Sequence, residues 1–293
     1  MNARIVTVIG VGNMGGGMAA NLLAKGWDVR VYDIDAARVA AMVALGARAF
    51  ASPADAPADS QAFIICVVDA AQTGDVLFGE RGLARMLKPG HAVMLCPTIA
   101  PEDVESFAVR LAALGVDTLD APISGGPARA RDGSMSLMLA CTQAVHARQA
   151  DLLGDLSAKV FHISEKPGDG ARTKLVNNLL AGINLVGAAE ALAMAARLGL
   201  DLAKTLDVIE QSSGQSWIGL DRMRRAIAGD YAARAHVTLL EKDTRLAVAA
   251  ARAAGFEGPL GERASRVFAE AHDAGLAAED DAALFKHLGG EHG

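Results

Sequence analysis

A chain of 293 residues that is 52% hydrophobic and 21% charged has room for two domains and a substantial core. Aromatics supply only 4%, so alanine, leucine and valine must do most of the packing. The formal net charge of −6 excludes the basic surface that a nucleic-acid partner requires.

The first residues, Met-Asn-Ala-Arg, lead straight into a short apolar run with no signal-peptide pattern, so none is expected. Residues 4–9 are β-branched and apolar, as in a parallel strand covered on both faces. Gly10, Gly12 and Gly15 then spell G-x-G-x-x-G, with Asn13 and Met14 inside it, and residues 14–25 read as a helix ended by Gly26. Glycine suits this turn because the backbone must come close to a pyrophosphate, which then sits on the N–H groups at the helix start. A second strand, 28–33, ends on Asp33. A carboxylate there accepts hydrogen bonds from a ribose 2′-OH and repels a 2′-phosphate, which predicts NAD in preference to NADP. Arg38, the nearest cation, reads as a solvated helix residue.

Further apolar strands are expected at 62–68, 91–96, 116–122 and 134–140, with helices between most of them. That alternation predicts an α/β fold of the Rossmann type, a doubly wound parallel sheet over residues 1–165. Ligands bind beyond the carboxyl ends of such strands, which brings the loops near Val67, Val68, Thr98 and Ser124 to one crevice. Cys66, Cys96 and Cys141 all lie in these strand-like runs. An odd number of buried thiols points to a reducing, cytoplasmic compartment. The seven histidines are scattered and there is no CxxC pair, so no metal is expected.

After Pro167 and Gly168 the strand signals stop, and residues 166–293 read as an all-α domain begun by a long interdomain helix. That helix runs from about 169 to Gly199, about 45 Å. Its run 179–196 is long enough to tempt as a membrane span, but Asn184 and Glu190 interrupt it, and no membrane partner is expected. Shorter helices are legible at 201–211, 241–255 and 261–275, with Asp201 an N-cap and Gly199 and Gly255 C-caps. The apolar surplus on the long helix predicts a homodimer or homotetramer.

Lys174 and Asn178 stand one turn apart on that helix, on one face, with Asn177 at its edge. The ordinary reading is a lysine that snorkels to water. A second run, "DAPISGGP", places the Ser124 hydroxyl and the N–H groups of Gly125 and Gly126 after a strand end, an arrangement suited to a carboxylate. A third, "LLEKDTRLA", carries Lys242 and Asp243.

With "GVGNMGGGMAANLLAKG", these runs resemble the β-hydroxyacid dehydrogenases, the family of 3-hydroxyisobutyrate dehydrogenase and tartronate semialdehyde reductase, from Ile5 to about Lys286. The resemblance implies NAD-dependent oxidation of a small hydroxyacid. Lys174 would be catalytic, in a G-x-x-x-K-x-x-x-N pattern matched by Gly170, Lys174 and Asn178. Asn178 would orient the substrate, Ser124, Gly125 and Gly126 would hold its carboxylate, Lys242 would lie near nicotinamide and substrate, and Thr98 would touch the cofactor. A lysine at its ordinary pKa is a poor base, but desolvation and a nearby positive charge bring an amine toward about 7–8, where general base catalysis works. The runs "DAAQTGDVLFGERGL", "QSSGQSW" and "GDYAARAHVTLLEKD" resemble the L-threonate dehydrogenase branch. Ser212, Ser213 and Gln215 near Trp217 suit a polyhydroxylated substrate. Alternatives are 3-hydroxyisobutyrate or a short semialdehyde acid as substrate. Imine reductases share the architecture but generally lack the lysine, and a non-catalytic scaffold would have no use for it. Pro127, directly after the two glycines, and the tail after Lys286 depart from the family pattern.

Overall fold

The computed structural model describes residues 4–289, so the first three residues and the last four of the tail lie outside the described part. The chain divides into two compact units, Met1–Lys174 and Leu175–Gly293.

The first unit is built on nine strands: β1 (Ile5–Ile9), β2 (Asp28–Tyr32), β3 (Arg48–Ala49), β4 (Ala62–Ile65), β5 (Ala92–Leu95), β6 (Asp117–Asp120), β7 (Ile123–Ser124), β8 (Ser136–Ala140) and β9 (Lys159–Ser164). Helices α1 (Asn13–Ala24), α2 (Ala36–Ala44), α3 (Ala70–Phe78), α4 (Pro101–Ala112), α5 (Gly126–Asp132), α6 (Gln143–Arg148) and α7 (Ala150–Leu156) connect them. The sheet order is β3-β2-β1-β4-β5-β6-β8-β7, with β9 beside β8. Strand alternation divides the core in two. Val6, Val8, Ile64 and Met94 join Met18 and Leu22 in one buried cluster, while Ile9, Phe63, Ile65, Val93 and Leu95 join Val104, Phe107 and Leu111 in another. Helices cover both faces, so these strands are apolar without a break, as doubly wound sheets require.

Two expectations need correction. The sheet is parallel from β3 to β6, but β8 runs antiparallel to β6 and β7. The link from β7 to β8, residues 125–135 with α5 inside it, is shorter than the crossover of about a dozen or more residues that a parallel partner needs. The strand expected over 62–68 stops at Ile65, which leaves Val67 and Val68 in the loop that follows.

Helix α8 (Asp169–Arg197) starts in the first unit and continues into the second. By length and composition it could cross a membrane. Part of its apolar face is packed: Ala171 joins a core cluster of the first unit, and Leu185, Val186, Ala189 and Leu192 join that of the second. The second unit adds α9 (Leu202–Glu210), α10 (Trp217–Ile227), α11 (Val237–Ala253), α12 (Pro259–Ala271) and α13 (Leu284–Gly289). The Asp201 carboxylate accepts from Lys204 N–H and caps α9, and Ser216 caps α10. Helix α11 begins at Val237, earlier than its hydrophobic pattern suggests, because Val237 N–H donates to Glu279 C=O and pins the chain there. A buried ionic group ties α10 to the stretch before α13: Arg225 donates to Asp280 at 2.8 Å and Arg222 to Asp281 at 2.6 Å. Burial would raise Asp280, but Arg225 and three backbone N–H groups hold it at about 2. For Asp281 burial prevails over Arg222 and pushes it up to about 7.

Candidate active site

The glycine turn is shaped by what a side chain would strike. Gly10 has φ +89°, and a Cβ there would lie 2.5 Å from Cys66 C=O; a Cβ on Gly15 would collide with Gly10 C=O. These two positions let α1 start directly against the turn. Its N-cap is Gly12, with no side-chain cap, and Gly16 N–H makes an early helical bond to Gly12 C=O. The N–H groups of Asn13, Met14 and Gly15 therefore belong to a helix end whose partial positive charge suits an anion. Gly17 lets α5 come close, since a Cβ there would lie 2.9 Å from Ala130 Cβ.

Asp33 is better held than its sequence position reveals. Its side chain is 6% exposed; Oδ2 accepts from Val11 N–H at 2.8 Å, and Oδ1 accepts from Asp35 N–H at 2.9 Å. The carboxylate is thus locked against the glycine turn. A close-approach turn, an uncapped helix end and a fixed strand-tip carboxylate fit a dinucleotide, and this is the observation that qualifies the cradle. Val67 is half-buried and Val68 exposed after β4, and Thr98 follows β5. The cysteines are free, and burial pushes Cys66 up to about 12 and Cys141 up to about 11, which makes them inert packing groups.

Ser124 ends β7, and Gly125 and Gly126 follow with φ +131° and +78°, conformations that favour glycine. Pro127 falls in the first turn of α5, where its missing N–H costs nothing. From the same segment comes a residue that the sequence did not single out. Asp120, at the end of β6, is 1% exposed, and its Oδ2 accepts from Gly168 N–H at 2.8 Å and Ala171 N–H at 3.1 Å. It caps the start of α8. Burial pushes its carboxyl up to about 6, while N–H bonds from Ala171, Gly168 and Gly170 pull the other way. A Cβ on Gly170 would lie 2.6 Å from Met138 C=O and 2.8 Å from Asp120 C=O, so only glycine fits this approach. Lys174, one turn further on, is 7% exposed.

In the second unit Asn178, also buried, donates through Nδ2 to Asp243 Oδ2 at 2.6 Å. Asn177 is exposed and donates to Asn178 Oδ1 at 3.0 Å, which fixes the Asn178 amide from both ends. Lys242 Nζ lies 2.9 Å from Asp243 Oδ1, an ion pair without hydrogen-bond direction. Asp243 is therefore the carboxylate that gathers Asn178 and Lys242. Ser212, Ser213 and Gln215 are exposed in the link between α9 and α10, beside a half-exposed Trp217.

Fold and cradle define an NAD-dependent oxidoreductase on a Rossmann sheet. Residues 5–164 match the NAD-binding domain of 6-phosphogluconate dehydrogenase, and residues 168–288 match the NAD-binding domain of NADP-dependent 3-hydroxyisobutyrate dehydrogenase. The chain is 37% identical to an L-threonate dehydrogenase of Escherichia coli over 97% of its own length and 95% of the relative's. It is 36% identical to a 3-hydroxyisobutyrate dehydrogenase of Pseudomonas aeruginosa, with 90% of each chain covered. A crystal structure of a 3-hydroxyisobutyrate dehydrogenase from Salmonella typhimurium superposes with a TM-score of 0.91 at 38% identity, over 97% of this chain and 99% of that one. The chain belongs to the β-hydroxyacid dehydrogenase family, and it is an NAD-dependent hydroxyacid dehydrogenase.

Proposed function

We propose that the substrate is a four-carbon sugar acid such as L-threonate, oxidised to the oxo acid with Lys174 as general base and, in reverse, general acid. The observation that carries the substrate is the 37% identity to an L-threonate dehydrogenase along nearly the whole chain. The exposed serines and glutamine beside Trp217 support it, since hydroxyl groups need polar partners. A 3-hydroxyisobutyrate or short semialdehyde-acid reaction is the second reading, favoured by the relatives of that name.

In this reading residues 1–165 hold the dinucleotide and 166–293 serve substrate and assembly. Gly10, Gly12, Asn13, Met14, Gly15, Asp33, Val67, Val68, Thr98 and Lys242 make the cofactor contacts. The Ser124 hydroxyl and the N–H groups of Gly125 and Gly126 receive the substrate carboxylate. Asn178, immobilised by Asp243, presents its second N–H to the substrate. Lys174 Nζ takes the proton as the O–H bond of the alcohol breaks and the C–H electron pair departs as hydride. When bound, NAD supplies the acceptor for that hydride. An amine kept from water is what such a step needs, because a solvated ammonium has no proton vacancy near neutral pH.

The same reading includes a homodimer or homotetramer in the cytoplasm. Val176, Leu180, Met194 and Leu198 on or just beyond α8 are exposed, and a groove of about 270 Å³ lies among Leu179, Ile183, Phe256 and Leu260. Free thiols, buried at Cys96 and Cys141 and half-buried at Cys66, accord with a reducing compartment.

The test is NADH formation across L-threonate, D-glycerate, 3-hydroxyisobutyrate and 4-hydroxybutyrate. The highest kcat/KM is expected with L-threonate; a higher value with 3-hydroxyisobutyrate transfers the assignment to the second reading.

A further inference from the structure

Three glycines stand in a row near the start of α1, and two of them are explained by the turn behind them. A Cβ on Gly15 would strike Gly10 C=O, and one on Gly16 would lie 2.9 Å from Val11 C=O. Gly17 has a different neighbour. A Cβ there would lie 2.9 Å from Ala130 Cβ, 3.2 Å from Arg131 N and 3.2 Å from Pro127 O, all of them on α5. Glycine inside a helix weakens it relative to alanine, so α1 by itself has no use for this one. What Gly17 permits is the seating of α5 on α1.

That seat joins two parts of the site. Asn13, Gly17 and Asn21 follow one turn apart on α1 and share a face. Asn13 stands at the dinucleotide end of this face. Asn21, 4% exposed, stands at the other end of α5: its amide would lie 3.3 Å from a Cβ on Gly133, the C-cap of α5, and it donates to Asp155 C=O at 2.7 Å. At its front, α5 grows directly out of the Ser124–Gly126 loop. The stem of Arg129 backs that loop, since a Cβ on Gly125 would lie 2.9 Å from Arg129 Cδ. The sheet grips the loop through two residue pairs, Ile123 with Leu137 and Ser124 with Ser136, so the seat of α5 on α1 is its other support.

We propose that Gly17 is a positioning residue for the hydroxyacid: by seating α5 on the dinucleotide helix, it sets where the Ser124 hydroxyl and the Gly125 and Gly126 N–H groups stand relative to the bound cofactor. The proposal rests on Ser124–Gly126 as the loop that receives the substrate carboxylate. Bulk added to the contact from either helix then has one result, a substrate held out of place beside a cofactor that binds normally.

Steady-state kinetics with whichever of the four hydroxyacids gives the highest kcat/KM, together with NADH binding by nucleotide fluorescence, test this. Gly17→Ala is expected to raise the hydroxyacid KM about tenfold against a smaller change in kcat, as a displacement of less than about 1 Å can do, with the NADH Kd of wild type. Ala130→Ser loads the same contact from α5 and leaves α1 as it is, so it should raise the same KM by less. In the Gly17→Ala, Ala130→Gly double variant the two Cβ atoms no longer meet, and most of the loss should be regained, with Ala130→Gly alone as the reference. A Gly17→Ala protein whose NADH binding weakens as much as its hydroxyacid KM rises overturns the proposal, since the methyl would then act on the glycine turn. So does a double variant no better than Gly17→Ala. If Gly17→Ala does not fold, Ala130→Ser decides, and an unchanged KM there overturns the proposal. Ser124→Ala separates the premise. An unchanged hydroxyacid KM in that variant overturns the carboxylate loop and the proposal with it, whereas a raised KM in Ser124→Ala alone overturns only the role of Gly17.

Discussion

Two helices in the first unit start in the same way and end up with opposite uses. Helices α1 and α8 both begin where a glycine allows backbone to press against backbone, Gly15 against Gly10 and Gly170 against Asp120. Each therefore presents N–H groups that lack partners within the helix. At α8 the protein supplies the anion itself: Asp120, buried and reached from a distant strand, accepts from Gly168 and Ala171. At α1 the N-cap is Gly12 and no side chain closes the end. A helix start without a side-chain cap is left open to an anion. Filling it with a carboxylate turns the same geometry into an anchor, here for the turn that precedes Lys174.

The comparison can be broken most sharply at the residue the anchor carries. Lys174→Ala should lower kcat by about 10²–10⁴-fold, the range of a lost general base, while NADH still binds as in wild type. Stopped-flow turnover together with a binding titration measures both, and near-normal turnover would detach Lys174 from the chemistry. At the open end, Gly15→Ala should do the converse. Its Cβ collides with Gly10 C=O, so the turn must shift, and KM for NAD should rise by about 10²-fold.

The closed end makes a smaller, pH-dependent prediction. Asp120→Ala leaves Gly168 and Ala171 N–H groups unpaired and should cost about 1–3 kcal/mol in denaturant unfolding. Asp120→Asn keeps an acceptor but does not titrate. Because burial raises the Asp120 carboxyl from 3.8 to about 6, its protonated form is favoured in the folded state. That contribution is fully present below the ordinary value and is lost as pH rises through about 6. The stability advantage of wild type over Asp120→Asn should therefore shrink across that window, and a pH-independent difference would mean that Asp120 does not titrate there. Pro127→Ala should have the smallest effect. The residue merely fits the first turn of α5, so a loss of about 0.4–1 kcal/mol through the unfolded chain and an unchanged substrate KM are expected.

How much of the site was legible depends on how far apart its partners lie along the chain. The strand, glycine turn, helix and Asp33 occupy one contiguous stretch, and each carries its own local chemistry, so the cradle could be read directly. The long helix was legible from a mostly apolar stretch free of turn signals between Gly168 and Gly199. Helix α10 was not singled out, because Arg222, Arg224 and Arg225 interrupt its apolar pattern. Two of those arginines answer carboxylates far along the chain, Asp281 and Asp280.

By itself, then, the sequence determined the dinucleotide cradle, the division into sheet and helices, and the presence of an amine and two amides on one helix. Those features follow from local steric preference and periodicity, which neighbouring residues settle among themselves. Tertiary structure alone decided that β8 turns antiparallel, that Asp120 closes the start of α8, that Asp243 grips Asn178, and that α5 seats on Gly17. A buried polar group must find a partner wherever the fold brings one, and distance along the chain does not record which one that is.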